Sequence, residues 1–287
     1  MSLRVLIAGA TGALGSHVVR EALARGHQVR ALVRHRALPD DIVERVEAHR
    51  GDALSAAGLG RACASIDVVF SCAGASVLPD LRRGRRSFHR VDLPANRNLI
   101  GAATGEGVRR FVYVGVAGHE ALGHLRYVAA HEAVVDVLRA SKLSHAVIRP
   151  VGFFSAFATL LDFARKGSVP LIGDGSARTN PIHEADLARV CVDAVEEAGV
   201  GEAAVGGPEV LSRRQIAEFA LAALGAPQKI RVVPSLAAKL VGAVIRPINP
   251  RVADLTAFYA RVSNEDLIAP RYGTRRIAEY FEQLVAA

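Results

Sequence analysis

The chain has 287 residues, 51% of them apolar and 22% charged, with a formal net charge of +8. That length supports a large core in one domain or two closely joined ones, and the composition excludes a disordered or fibrous chain. Three cysteines, Cys63, Cys72 and Cys191, are widely spaced and odd in number, which argues against a disulfide framework or a zinc site. They fit a reducing cytoplasm, and a cytoplasmic location is expected. The first apolar strand begins at once, with no basic leader and long apolar stretch before it, so no secretory signal is expected. The most apolar late segment, residues 236–245, carries Lys239 and is too short to span a bilayer. The densest basic run, Arg82, Arg83, Arg85 and Arg86 with His89 and Arg90 behind it, has no interleaved aromatic stripe. It reads as a solvated loop rather than a nucleic-acid surface. The expected partner is a small-molecule substrate, with neither nucleic acid nor membrane, in a monomer or a homodimer.

Residues 3–8 (LRVLIA) read as a buried parallel strand. Gly9, Gly12 and Gly15 follow, and a helical pattern over 14–25 ends at Gly26. Glycines here permit a tight turn and a close backbone approach to a ligand, while the helix aims its free N–H groups and positive dipole end back at that turn. A phosphate fits there, so the strand–turn–helix reads as a dinucleotide-binding unit. Strands at 28–33, 67–72, 109–114 and 145–149 alternate with helices at 93–105 and 127–140, and with shorter helical or mixed segments at 42–48 and 56–63. This rhythm predicts an α/β fold with a doubly wound parallel sheet of Rossmann type over residues 1–150.

After Pro150 the rhythm changes. Residues 152–165 form an apolar, aromatic-bearing helix or loop, followed by turn signals at Gly167 and at Gly173 to Gly175. A helix over 184–198, a short strand near 202–205, a helix from Ser212 to Leu224, a strand at 229–233 and helices near 235–245, 251–260 and 275–285 complete the chain. Residues 151–287 are expected to form a smaller α/β substrate domain, with elements near 180–207 returning to the main sheet.

Several blocks in order carry a resemblance. GATGALG (9–15), GHQVRALVR (26–34), RGD (50–52), RRFVYVGVAG (109–118), VIRPVGFF (147–154), NPIHEADLA (180–188) and GGPEVLS (206–212) together resemble the short-chain dehydrogenase/reductase superfamily in its extended or atypical forms, on the NmrA-like branch. The resemblance covers nearly the whole chain. It implies that Gly9, Thr11, Gly12, Ala13, Leu14 and Gly15 line the pyrophosphate of a bound dinucleotide. Asp52 and Ala53 would border its adenine. Cys72, Ala73 and Gly74 would pass under the nicotinamide-side ribose, and Pro150, Val151 and Phe153 would lie near the nicotinamide. The second strand ends in Leu32-Val33-Arg34-His35-Arg36, with no carboxylate to repel a 2′-phosphate. A guanidinium grips a phosphate through two parallel hydrogen bonds, so NADP is expected over NAD, with Arg34 as main ligand and Arg36 as helper. The alternative is a solvated loop arginine.

Enzymes of this superfamily place a serine beside a Tyr-x-x-x-Lys pair. Four residues apart on a helix puts both side chains on one face; the lysine binds ribose and lowers the tyrosine pKa. This chain keeps the spacing as Tyr127-x-x-x-His131, and the serine position falls on Gly115 or Val116. A neutral histidine can hydrogen-bond ribose but does little to ionise Tyr127. Tyr127 and His131 are therefore either catalytic or part of a half-buried helix face. Two functions stay open: an NADPH-dependent reductase whose conjugated or carbonyl substrate does not require an ionised tyrosine, or a dinucleotide-binding redox sensor or scaffold without turnover. Phe153, Phe154, Phe157, Leu160, Leu161 and Phe163 offer an apolar wall for a substrate, though core packing explains most of them. His183, Glu184 and Asp186 read as a helix start and not as metal ligands. Asp92 and Asn96 read as structural caps or sheet braces.

Overall fold

A strand buried on both faces is apolar along its length, and most of the central strands here meet that condition. The structure is a computed structural model that describes residues 2–75, 77, 86–197, 199, 201–225 and 229–286. Six strands come first: β1 (Arg4–Ala8), β2 (Gln28–Val33), β3 (Glu47–Arg50), β4 (Val68–Ser71), β5 (Arg110–Val114) and β6 (Ser144–Pro150). Two short ones, β7 (Val169–Ile172) and β8 (Arg178–Thr179), precede β9 (Glu202–Val205). The main sheet has seven strands, all parallel, in the order β3-β2-β1-β4-β5-β6-β9. The order runs outward in both directions from β1 and β4, and the crevice at that switch point opens beyond their carboxyl ends.

Alternation along β1 divides the core. Val5 and Ile7 point to the face covered by α1 (Ala13–Ala24) and by a later helix, residues 184–196; Leu6 and Ala8 point to the other. On that second face α3 (Leu59–Cys63), α4 (Asp92–Gly105) and α6 (Arg126–Ala140) contribute Leu59, Leu99 and Val134, while the single turn α2 (Asp40–Val43) sends Ile42 to the first face and the single turn α5 (His119–Leu122) packs Leu122 in a smaller cluster with Val116 and Phe258. Beyond β6 the helices are α7 (Phe154–Phe157), α8 (Thr159–Arg165), α9 (Glu184–Glu196), α10 (Arg213–Ala223), α11 (Ser235–Ile245), α12 (Pro250–Val262) and α13 (Ile277–Ala286). Phe154, Leu161, Ile216, Ile277 and Phe281 form a separate cluster in this half. A strand β10 (Leu211–Ser212) pairs antiparallel with β8, and β11 (Ile230–Val233) pairs parallel with β7. Ser212 caps α10 through a reciprocal box with Gln215.

Three segments differ from the reading of the sequence. Residues 42–48 are not one helical piece: α2 stops at Val43 and Glu47–Arg50 is the edge strand β3. That strand is held by backbone pairing to β2, and its side chains are largely exposed, so no apolar pattern marks it. The turn region after Gly167 contains β7, whose Val169 is fully buried. The apolar run 152–165 divides into two helices at Ala158, and Phe163 is 41% exposed, so it belongs to the surface and not to a pocket wall. Of the basic run, Arg82, Arg83 and Arg85 lie outside the described residues.

Leu99 is fully buried where α4 meets the sheet. Replacing it with alanine leaves a cavity and is expected to lower stability by about 2–5 kcal/mol. Urea unfolding followed by circular dichroism measures it.

Candidate cofactor cradle and active site

The turn after β1 is built around absent side chains. Gly9 has φ +92°, a conformation that L residues rarely adopt, and the N–H of Gly12 donates to its carbonyl at 2.9 Å. A Cβ on Gly15 would lie 2.1 Å from the Gly9 oxygen, and a Cβ on Gly9 would lie 2.9 Å from both the oxygen and the Sγ of Cys72. Only three glycines allow α1 to start this close beneath the strand end. Gly12 stands at its N-cap, no side chain caps it, and its first turn carries no acidic residue. Gly12 and Ala13 are exposed, Thr11 is half-buried and Leu14 is buried beneath them. Donors aimed at open space with no competing carboxylate suit an anion, and the cradle fits the diphosphate of a dinucleotide.

The other cofactor-directed residues follow the carboxyl edge of the sheet. At the end of β2, Arg34 and Arg36 are exposed. Arg34 does not lack a carboxylate neighbour: its Nη1 lies 3.7 Å from Oδ2 of Asp52, which arrives from the loop after β3. Nothing along β2 itself marks this acid, because it is supplied by the loop that follows the neighbouring strand. Both side chains are largely exposed, so the pair is weak and can yield to a phosphate. Asp52 also accepts from the N–H of Leu54 (3.0 Å), and the Ala53 carbonyl accepts from Asn98 of α4 (3.0 Å).

Beyond β4, residues Cys72, Ala73 and Gly74 are pinned to the start of α4. Asn96 accepts from the Ser71 hydroxyl at 2.6 Å and donates to the Ala73 carbonyl at 3.1 Å; Asp92 accepts from the N–H of Ala75 at 2.7 Å. A Cβ at Gly74 would press on the Asp92 carboxyl at 3.1 Å. At the far end of the edge, Pro150 closes β6, Val151 is buried against Ala117 and Ala269, and Phe153 forms a bridge to Ile182.

The helix α6 carries Tyr127 and His131, whose rings are 5.0 Å apart. Tyr127 packs edge-on against Phe88 (4.7 Å) and Phe258 (4.9 Å). Burial, with Tyr259 and Asp92 nearby, holds its pKa well above the ordinary phenol value. His131 faces inward: its Nδ1 is 2.7 Å from the hydroxyl of Tyr113 on β5, and its Nε2 is 3.7 Å from Oδ2 of Asp92. Burial, reinforced by the Arg149 cation, brings the imidazole down to about 4, so it is neutral near pH 7. Burial raises the Asp92 carboxyl to about 7. Neither candidate serine position carries a hydroxyl: at Gly115 a Cβ would be tight against the side chains of Val147 (3.2 Å) and Arg149 (3.4 Å to Nη1), and Val116 is buried. Arg149 is buried and neutralised by Glu132 (2.5 Å) and Glu202 (2.9 Å), so it does not act as a substitute lysine.

Two residues escape the sequence reading. Arg213 opens α10 and donates to the Val262 carbonyl at 3.2 Å, with its guanidinium 5.8 Å from the Phe157 ring centre. Its Nε is sealed from solvent without an acceptor, and among the described residues no carboxylate pairs with it. Desolvation lowers it to about 10. Tyr259 of α12 neighbours Arg213, donates to the Val77 carbonyl at 3.5 Å and meets Phe258 edge-on, and Phe258 in turn touches Tyr127. Sequence marks only the pair Arg213-Arg214 after a helix cap; which one turns inward is decided by tertiary packing. Arg214 is the exposed one.

Comparison with known proteins identifies the lineage. A family model described as NAD(P)H-binding matches residues 9–198. The chain belongs to this NAD(P)H-binding family of the short-chain dehydrogenase/reductase superfamily. It is 27% identical to the chloroplastic divinyl chlorophyllide a 8-vinyl-reductase of Oryza sativa subsp. indica, over 98% of this chain and 78% of that protein. It is 29% identical to the 2-alkyl-3-oxoalkanoate reductase of Stenotrophomonas maltophilia, over 86% and 84%. A nucleoside-diphosphate-sugar epimerase of Staphylococcus aureus shares the fold with a TM-score of 0.75 at 17% identity, covering 98% of this chain and all (100%) of the other.

Gly15→Ala forces the α1 start away from Gly9. The variant is expected to lose dinucleotide affinity by more than about tenfold, since the donors no longer converge; isothermal calorimetry measures it.

Proposed function

We propose that the protein is an NADPH-dependent reductase acting on a small substrate with an apolar body that carries a carbonyl or a carbon–carbon double bond conjugated to one. The observation that carries this reading is the state of Tyr127: a neutral phenol in an aromatic wall, at the position its superfamily uses for proton transfer, with no lysine beside it. Strong ionisation of that phenol is out of reach, so the substrate's own conjugation must stabilise charge that develops on reduction. The dinucleotide, when bound in the glycine cradle, supplies a hydride equivalent. Tyr127 passes its hydroxyl proton to the reduced substrate as a proton from solvent reaches its oxygen, so no free phenolate forms. His131 stays neutral and bonded to Tyr113, holding the α6 face in register with β5.

Arg213 supports a substrate with an anionic end. A half-buried guanidinium with its Nε sealed from solvent and no carboxylate beside it favours a ligand that provides one, and the Stenotrophomonas relative is named for an oxoalkanoate. The cofactor preference rests on Arg34 and Arg36, exposed at the end of β2 where a 2′-phosphate would lie.

With NADPH and a panel of enones and 3-oxo acids, absorbance loss of the reduced cofactor is expected for at least one member. Tyr127→Phe is expected to reduce kcat by on the order of 10²-fold with little change in NADPH affinity. Tight NADPH binding with no turnover of any member would instead support a redox sensor or scaffold. Arg34→Ala is expected to weaken NADPH by about tenfold or more and leave NADH nearly unchanged; equal losses for both would remove Arg34 from cofactor choice. Arg213→Met is expected to raise KM for acidic substrates by about tenfold and to leave their neutral esters unaffected, as initial rates would show.

A further inference from the structure

Helix α11 turns an apolar side outward. Leu236, Leu240 and Val244, each one turn from the next, are 68%, 60% and 73% exposed, and Val241 and Ile248 beside them are 53% and 61% exposed. The inward side is small: Ala238 and Gly242 are buried, and Gly242 lies against Thr256 of α12. Single exposed leucines are ordinary, but a contiguous patch on a water-facing helix marks a contact surface.

Charge says what covers it. Between Glu218 and Asp254 the sequence holds no acidic residue and five basic ones. Lys229 just before β11, Arg231 on it and Lys239 on α11 are exposed. A second copy packed face to face would set these cations against their own equivalents. An anionic lipid surface complements them, and the net charge of +8 adds long-range attraction. Among the described residues no helix is long and apolar enough to cross a membrane, and α11 has only 11 residues. A short helix with an apolar face and neighbouring cations lies in the interfacial plane of a bilayer.

We infer that α11 is a membrane-docking helix, with Leu236, Leu240 and Val244 entering one leaflet of an anionic bilayer while Lys229, Arg231 and Lys239 meet lipid phosphates. The surface is separate from the cofactor cradle, so docking does not depend on the proposed reaction.

The test is flotation of the full chain with vesicles of mixed phosphatidylcholine and phosphatidylglycerol, and with vesicles of phosphatidylcholine alone. The protein is expected to float with the anionic vesicles, to release at high salt, and to stay behind with the neutral ones. Leu240→Asp combined with Val244→Asp is expected to weaken flotation by about tenfold or more. Because both side chains face water, the double variant should keep its NADPH affinity by calorimetry, which separates lost docking from lost folding. A variant that loses both is replaced by Lys239→Glu, which is expected to shift the salt at which release occurs. Equal binding to neutral vesicles, or none to either kind, overturns the inference. So does a concentration-dependent dimer in sedimentation that the same substitutions dissociate, since the patch is then a contact between copies.

Discussion

The contact between the α1 backbone at Gly15 and the carbonyl of Gly9 sets the rest in place. With no Cβ between them, the helix begins directly beneath the end of β1, and its uncapped amino end faces the crevice where the strand order reverses. The same crowding extends sideways, because Gly9 lies against Cys72 at the end of β4. Two neighbouring strands and one helix are thus locked at a single point. An anion held there by backbone donors needs no charged side chain, so the residues around it remain free to select the rest of the ligand.

What surrounds that point is unusual in its electrostatics. The charges that do enter the interior are closed on themselves, as with Arg149 between Glu132 and Glu202. Those facing the reaction region are discharged or close to it: a neutral imidazole, a phenol held far from ionisation, and a carboxyl that burial brings into the neutral pH range. In low dielectric this costs less than maintaining isolated ions. It also defines the chemistry available, favouring substrates that stabilise their own developing charge. Arg213 differs because its partners are a backbone carbonyl and an aromatic ring, and no carboxylate among the described residues pairs with it.

Much of this architecture was legible in the sequence, and the reason is burial. The strands β1, β2, β4, β5 and β6 are apolar runs bounded by turn residues, and α4, α6, α9 and α10 begin and end within a residue or two of their expected bounds. Edge strand β3 was not legible, since its pattern of Glu47, His49 and Arg50 reports exposure and not pairing. The site divides along the same line. The glycine turn is local and could be read. The bond from His131 to Tyr113, the approach of Asp52 to Arg34 and the inward turn of Arg213 join residues far apart in the chain, and no spacing rule encodes them.

The most direct measurement is a crystal structure with NADPH bound. The account predicts diphosphate oxygens within hydrogen-bond distance of the backbone N–H groups at the start of α1, the 2′-phosphate beside Arg34, and the nicotinamide ring facing Tyr127. A cofactor bound elsewhere, or a nicotinamide separated from Tyr127 by protein, would contradict it.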